Sequence, residues 1–552
     1  MQCLKKQGIN DFWFADPNFA YSRSRLEKLL EAIIHKVPGI GFWCQTRYNL
    51  IDRELLDLLK AAGAHTIAFG LESAHPRVLK NINKGLEPEK MAQAIRLVQQ
   101  ADIDVELFSL FGLPGETIDN AMQTLDYVRR HNVAITGNSI SQQLHIFFGT
   151  PIGDDPATHA IEPLPVTKPA YQSICRDFKT DAMSARQIRQ MGLFWRLNRT
   201  DFEEDVNNGR NLFTIAGFIT RHREMLCCRP EAEIMLARIY IQLDEFAMSS
   251  ACMQNLAESF GAHAEVQQFL SGPFTGYRSK RRKVAGPGCK IIFNGKGFIE
   301  GKAVPETECH YHIAVIGDGT LLADFERGIN GMKAGSAGQF DVTFPEDYGN
   351  RRLAGQRATF QVYLHQVMEP VCYDNLDAMR RNPPRNMYRF DDLIGLQKHN
   401  ENLYYMVLRD SILHSFTGNL NDMMALFNYY LKLGFIEKAM DIAHSLPKEP
   451  SVMGHVGRVL LANELAEDAL DFLEQAADTN VEMENQRIKA HIKLGQYEAA
   501  EAIAADPKLA TSLQILNQQV TLASLRQLPV GDYLKRMENL LDCQIKMMHA
   551  NR

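Results

Sequence analysis

The chain has 552 residues, more than one hydrophobic core accommodates, which sets an expectation of about three to four domains. Its 45% hydrophobic and 23% charged content is that of an ordinary globular protein. A net charge of -6 excludes a global basic field that would recruit nucleic acid, and no run reaches the ~18–20 apolar residues of a membrane span.

From residue 8 to about 150, short apolar runs alternate with helical patterns. The opening, Met1 to Lys6, leads into a strand-like segment and not into the apolar core of a signal peptide. Ile9–Ala15 is expected to be a buried strand, followed by a helix over Ser24–Val37. Gly39–Cys44 is a second strand before a helix over Arg53–Ala62. His65–Gly70 is a third, before helices over Pro76–Ile82 and Glu87–Ala101. Val105–Phe111 is a fourth, before a helix over Thr117–His131. This pace implies parallel βα units, which bind ligands at the carboxyl ends of their strands.

Each strand runs into polar or turn-forming residues: Asp16 to Phe19 (DPNF), Gln45 to Arg47 (QTR), Gly70 to Ser73 (GLES) and Gly112 to Thr117 (GLPGET). Singly, Gly-Leu-Pro-Gly is a turn and Glu72 is a helix-start carboxylate favoured by the helix dipole. In order, the segments DPNF, QTRYNLIDRELLDLLKAAG, GLESAHPRVLKNINKG, FGLPGET and FFGTP resemble the latter part of radical S-adenosylmethionine (SAM) enzymes, especially those that carry a cobalamin-binding domain. The resemblance implies that Glu72 and Lys84, twelve positions apart, face SAM. It also implies a [4Fe–4S] cluster on CxxxCxxC after the first strand, three thiolates leaving one iron for SAM. No such triplet occurs in this chain, so radical chemistry is not expected of it as written. SAM and the cluster are expected only of a fuller parent; the start at Met1, inside what looks like a helix, reads as a fragment or a mis-called start, with a relic barrel kept as scaffold as the other possibility.

The ten cysteines are Cys3, Cys44, Cys175, Cys227, Cys228, Cys252, Cys289, Cys309, Cys372 and Cys543, with neither CxxC nor zinc spacing. Free thiols in a reduced, cytoplasmic protein are the simplest account. No self-contained metal site is visible.

Residues 165–275 lack strand patterning and carry helical spacing over Ser184–Arg196, Phe213–Leu226 and Glu231–Phe260. Leu236–Leu243 with Phe246–Ala251 looks like one tetratricopeptide-type hairpin. Tyr277–Gly288 is basic and then rich in glycine and proline, and reads as a linker; its cluster Arg278–Lys283 is read as solvated.

Lys290–Gly301 reads as two short strands, His310–Ile316 alternates, and Gly317–Gly319 is a turn. Leu321–Met332 has helical spacing, and Gln339–Phe344 and Ala358–His365 alternate cleanly. Together these elements predict a small antiparallel sheet wrapped on one helix. The run ADFERGINGMKAGSAGQFDVTFPEDYGNRRLAGQRATFQVYL resembles FKBP-type peptidyl-prolyl isomerase domains over about 85 residues, closest to the trigger-factor type. The resemblance implies cis–trans isomerisation of X-Pro bonds, whose uncatalysed barrier is ~18–20 kcal/mol. No cofactor is needed for that reaction. By position, Phe325 is the pocket floor, and Leu321 and Leu322 stand where the family offers apolar residues and a backbone donor. Phe293, Tyr348 and Phe360 supply walls, Tyr348 able to hydrogen-bond substrate. Val304 stands for a usual Phe, Pro305 for a wall-lining Asp, and His312 falls near a usual pocket aromatic. These departures point to a slow isomerase or a proline-peptide binder.

From about residue 400 no strand signal remains. Leu433–Ala439, Asn463–Ala469 and Leu494–Ala500 recur about every 30 residues and resemble tetratricopeptide repeats over ~415–510. Such arrays usually present a concave face to a protein partner. The fold expected is therefore multidomain α/β plus α+β plus all-α. Its parts are a partial radical-SAM (βα) barrel at 1–160, a helical bridge at 165–275, an FKBP-type domain at 286–372 and repeat-like helices at 400–552. The expected function is a chaperone-like isomerase acting on proline-containing peptide or protein, with a protein partner on the repeats and neither nucleic acid nor membrane. The alternatives are a fragment of a radical-SAM enzyme whose isomerase and repeat domains hold a protein substrate, and a non-catalytic scaffold.

Overall fold

The computed structural model describes residues 1–525 except 136–142, 148, 165–177, 227, 280–283, 347, 351, 383–387, 389, 391, 477–480 and 510–511, and beyond them 535–537 and 539. Two compact units result: Met1–Thr200 with Leu446–Arg552, and Asp201–Ser445. Cys175, Cys227, Cys543 and most of the basic cluster at 278–283 lie outside the described residues.

After a short helix α1 (Gln2–Lys6), strands β1 (Asp11–Trp13), β2 (Gly41–Gln45), β3 (Ala64–Glu72) and β4 (Asp104–Ser109) lie side by side in that order, all parallel. Parallel neighbours need long crossovers. Here they are α2 (Arg23–Lys36), α3 (Arg53–Ala62), and α4 (Pro76–Asn81) with α5 (Pro88–Gln100); α6 (Ile118–Arg130) follows β4. Local chemistry sets the helix ends. The Asp52 side chain accepts from the Leu55 N–H at the start of α3, and Gly63 ends it with a φ of 101°. A Cβ on Gly63 would lie 2.0 Å from the Ile40 carbonyl oxygen, so only glycine lets the chain turn into β3 so close to β2. Phe42 and Cys44 of β2 are buried and alternate with the partly exposed Gly41, Trp43 and Gln45, as one covered sheet face requires. The expected buried strand at Ile9–Ala15 is corrected: β1 is three residues long and lies at the sheet edge, with Trp13 70% exposed.

The first unit continues through α7 (Pro151–Asp154), a two-stranded antiparallel pair β5 (Ile161–Pro163) and β6 (Phe178–Thr180), and α8 (Ala185–Leu197), whose Ser184 and Gln187 form a capping box. Helices α9 (Thr200–Asn207), α10 (Leu212–Arg221), α11 (Arg223–Leu226), α12 (Pro230–Gln242), α13 (Phe246–Phe260) and α14 (Ala264–Ser271) then lead to the second sheet.

That sheet comprises β7 (Phe274–Ser279), β8 (Lys290–Ile299), β9 (Lys302–Val315), β10 (Ser336–Thr343) and β11 (Arg357–Tyr373), with helix α15 (Ala323–Ile329) between β9 and β10. The order is β10-β11-β8-β9, antiparallel throughout, and β7 pairs with the far end of the long β11. Two expectations are corrected. Lys290–Gly301 is not two short strands, because the ladders to β9 and β11 run through it. The stretch from Tyr277 is not all linker, and 165–275 is not strand-free: β7 pairs Tyr277 with Pro370, and β6 precedes it.

Helices α16 (Leu376–Arg381), α17 (Leu393–His399), α18 (Glu401–Ser415), α19 (Leu420–Lys432) and α20 (Ile436–Ser445) complete the second unit. The first unit resumes with α21 (Pro450–Ala462), α22 (Ala466–Gln475), α23 (Val481–Lys493), α24 (Tyr497–Ala504) and α25 (Leu513–Leu525). The turns between α12 and α13, α19 and α20, α21 and α22, and α23 and α24 each hold one residue at positive φ: Asp244 (59°), Gly434 (81°), Glu464 (66°) and Gly495 (74°). The three C-terminal turns are the sequence segments that recur about every 30 residues. Small residues let the paired helices approach: a Cβ on Gly457 would meet Leu473 at 2.6 Å.

Candidate active site

The concave side of the second sheet holds an aromatic cluster. Phe325, on the first turn of α15, is 7% exposed and central. Its ring centroid lies 5.2 Å from Phe293 on β8, 5.3 Å from Phe360 on β11 and 5.1 Å from Phe340 on β10. Separations of this size with tilted or perpendicular planes are favourable for aromatic pairs. Phe344 lies 6.3 Å from Phe360 and 4.8 Å from Tyr348, which is 36% exposed and so reaches the rim. Leu321 and Leu322 precede α15 and pack against the same core. The six residues expected by position therefore gather around one cluster, with Tyr348 reaching it through Phe344.

Sequence reasoning missed Phe340 and Phe344. Both were visible as the inward, alternating positions of the run Gln339–Phe344. It also missed the glycine that seats Phe340: a Cβ on Gly328 would stand 2.2 Å from that ring. Carboxylates brace the cluster from outside. Asp324 accepts from the Thr343 N–H at 3.0 Å, and Glu326 accepts from the Gly317 N–H at 2.7 Å.

Strand β9 is irregular where the wall departs from the family pattern. Gly297 pairs with Val304 and Gly295 with Cys309, so extra residues sit on β9 between them. The Thr307 hydroxyl fills the gap, accepting from the Gly297 N–H at 2.8 Å and donating to the Val304 carbonyl at 2.7 Å. Pro305, which has no N–H, falls within this bulge and is exposed, while Val304 packs against the core. A second bulge between Gly295–Cys309 and Phe293–His312 brings the His312 ring 5.3 Å from Phe293, planes at 69°. His312 is exposed as a residue, yet desolvation of its ring lowers its pKa below 6.5, with nearby Arg210 acting in the same direction.

At the carboxyl ends of the parallel strands, Glu72 and Lys84 are brought together: Lys84 Nζ lies 2.8 Å from Glu72 Oε1. Glu72 ends β3 at a φ of 61°, and a Cβ on Gly70 would come within 2.8 Å of Glu72 Oε1 and 3.0 Å of Lys84 Nζ. The neighbouring turn is tied by a residue to which sequence reasoning gave no role of its own. The Glu116 side chain is fully buried and Oε2 accepts from the N–H groups of Gly112 (2.8 Å) and Leu113 (3.2 Å). Burial pushes its pKa up to about 7. An iron–sulfur cluster of the expected kind does not fit the residues present. Cys44 is buried within β2 with its thiol pushed up to about 12 by burial, Cys3 is exposed on α1, and among the described residues no group of three His, Cys, Asp or Glu side chains is poised to hold a metal. Among the described residues, no helix is long and apolar enough to cross a membrane.

The model of the radical SAM superfamily matches residues 1–128, and that of the FKBP-type peptidyl-prolyl cis-trans isomerase family matches residues 281–365. Trigger factor of Nitrosomonas eutropha is 38% identical over 100 residues, 18% of this chain and 23% of the relative. An uncharacterized methyltransferase of Pyrococcus horikoshii is 25% identical over 126 residues, 23% of this chain and 28% of the relative. The chain thus spans about a quarter of the length of either curated relative. The solved structure of the radical SAM methyltransferase TsrM from Kitasatospora setae, with cobalamin and a [4Fe-4S] cluster bound, aligns with 30% of this chain and 32% of its own at 24% identity and a TM-score of 0.27. The chain therefore joins a radical SAM superfamily segment to an FKBP-type peptidyl-prolyl cis-trans isomerase domain.

Proposed function

We propose that this chain is a peptidyl-prolyl cis-trans isomerase of the FKBP type, chaperone-like and cytoplasmic, fused to a radical-SAM-like parallel sheet. The observation that carries the reading is the Phe293–Phe325–Phe360 cluster with Tyr348 at its rim. Rotation about X-Pro breaks amide resonance and no covalent bond, so neither nucleophile nor metal is required. A surface that holds the proline ring on Phe325, between Phe293 and Phe360, and keeps water from the carbonyl favours the twisted amide over the planar one; only that difference accelerates rotation. Tyr348 donates a hydrogen bond to the substrate carbonyl, and Leu321 and Leu322 close the apolar side.

The FKBP-type match and the trigger-factor relatives support a proline-containing peptide or protein as substrate, and the repeated helical hairpins support a tetratricopeptide-like surface for a protein partner. With Val304 packed on the core and Pro305 exposed in the adjoining bulge, turnover is slow. The test is an X-Pro peptide assay on the full chain. Phe325→Ala should abolish turnover, and unchanged turnover would defeat the site assignment. Binding of the peptide without turnover in the wild type would favour a scaffold.

The Glu72–Lys84 pair at the strand ends favours a second role, contact with SAM in a radical SAM protein whose isomerase and repeat domains hold a protein substrate. The residues here supply no cluster ligands, so no chemistry is routed through one. Calorimetry of SAM binding to the full chain tests this: binding weakened by Lys84→Ala supports it, and no heat of binding removes it.

A further inference from the structure

We infer that the bulge at His310 and Tyr311 on β9 is a relay through which helices α17 and α18 set the wall of the prolyl pocket, with Asn400 and Tyr311 as positioning residues and the next residue, His312, as the wall they position. The inference rests on the isomerase reading of that pocket.

Tyr311 adopts a φ of 50°, a conformation a bulky side chain avoids unless its surroundings impose it. The surroundings are on both sides. From β8, the Asn294 Oδ1 accepts from the Tyr311 N–H at 2.6 Å. From the start of α18, the Asn400 Nδ2 donates to the Tyr311 carbonyl at 2.7 Å. The Tyr311 hydroxyl donates to Asp392, the N-cap of α17, at 3.2 Å, and its ring stacks on His365 at 4.9 Å and meets Phe390 at 5.7 Å. His310, one residue earlier, lies 4.4 Å ring to ring from His399, the last residue of α17.

Strand parity carries this to the pocket. Side chains alternate along a strand, so in a regular strand His312 and Cys309, three positions apart, would point to opposite faces. With the bulge, Cys309 packs against the core and His312 also meets Phe293 on the pocket side, while the buried Tyr311 is turned to the other side, against Phe390. A bulge re-aims a side chain in this way at the cost of a ladder hydrogen bond, and here the missing partner is Asn400. Helix position is thereby converted into imidazole position: if the start of α18 withdraws, the Tyr311 carbonyl loses the donor that holds it at positive φ. A protein bound to the helices that shifts α18 would alter proline turnover through these three residues.

Asn400 allows a clean test, because it has two jobs on different atoms. Its Oδ1 caps α18 by accepting from the Leu403 N–H at 3.0 Å, and its Nδ2 holds Tyr311. Asn400→Asp keeps the cap and removes the donor. On the full chain, X-Pro turnover and the NMR titration of the His312 imidazole are measured together, with Asn419→Asp, at the N-cap of α19, as control. The expected result is a fall in kcat/KM of about three- to tenfold, the size of one lost hydrogen bond, with the His312 midpoint moving toward its ordinary value and the unfolding midpoint unchanged. An unmoved His312 titration overturns the relay whatever turnover does, as does an equal shift in the Asn419 variant. If the wild type shows no turnover, the isomerase reading fails, and a shifted His312 midpoint still supports the relay.

Discussion

The His312 ring stands edge-on to Phe293, 5.3 Å away with planes at 69°. An imidazole at this position makes the wall ionisable. Its pKa is lowered first by desolvation and then by Arg210, itself paired with Asp205 at 3.0 Å, both of which favour the neutral ring. Charging it wets the wall beside Phe293. Turnover should therefore hold above pH ~6.5 and decline as the pH falls below it. His312→Phe should remove the acid decline and raise kcat/KM several-fold, by about three- to tenfold if one aromatic pair is gained. A pH–rate profile of both proteins checks this; parallel profiles would contradict it.

Gly328 is a packing requirement of the cluster. A methyl there would lie 2.2 Å from the Phe340 ring, so either α15 or β10 must move. Gly328→Ala should destabilise the second unit by about 1–3 kcal/mol, and turnover should fall because Phe325 moves with α15. Urea unfolding with the peptide assay reads both. A variant as stable as wild type would show that the ring has room to yield.

Glu116 makes a prediction about pH and the first unit. Its pKa is raised from 4.5 to about 7 by burial, so the folded state binds its proton more tightly than the unfolded state. That stabilisation is full below pH ~4.5 and is lost as the pH rises through about 7, an effect of at most ~3 kcal/mol. Glu116→Gln keeps an acceptor for the Gly112 and Leu113 N–H groups and removes the ionisation. Denaturation at pH 5 and pH 8 should show a smaller pH difference in the variant. Equal differences would mean that Glu116 does not titrate there.

Arg409 ties the helices of the second unit. Its guanidinium donates to Asp410 Oδ1 (2.8 Å), Glu245 Oε1 (3.0 Å) and the Leu243 carbonyl (2.6 Å), and Tyr429 donates to Glu245 as well. Arg409→Met leaves two carboxylates poorly compensated and should cost about 3–5 kcal/mol. Thermal unfolding of the full chain measures it. A loss below about 1 kcal/mol would indicate that water replaces the guanidinium.

The aromatic site was legible through the resemblance to FKBP-type domains carried by one run from Ala323 to Leu364, and Phe293, Leu321 and Leu322, outside that run, were placed by position. The recurring turns were legible for a similar reason, since each is a local unit of sequence. Two features were hidden by long-range pairing. Phe274–Ser279 is short, contains a glycine and borders a basic run, and its partner on β11 lies some 90 residues away. The run His310–Ile316 alternates as an ordinary strand would; its pairing with β8 and the bonds of Tyr311 to Asn294 and Asn400 reveal that its parity is broken. Glu116 sits in a glycine–proline turn that looks solvated, yet the side chain folds under it. The edge position of β1 was likewise invisible, since an apolar run does not say how many neighbours a strand has.

The central claim is catalysis of X-Pro rotation, and exchange spectroscopy tests it most directly. A proline-containing peptide with resolved cis and trans NMR signals is mixed with a small molar fraction of the full chain. Uncatalysed exchange takes tens to hundreds of seconds. The account predicts exchange cross-peaks whose rate grows in proportion to protein concentration. Cis and trans signals that exchange only at the uncatalysed rate, even with protein in excess, would contradict it.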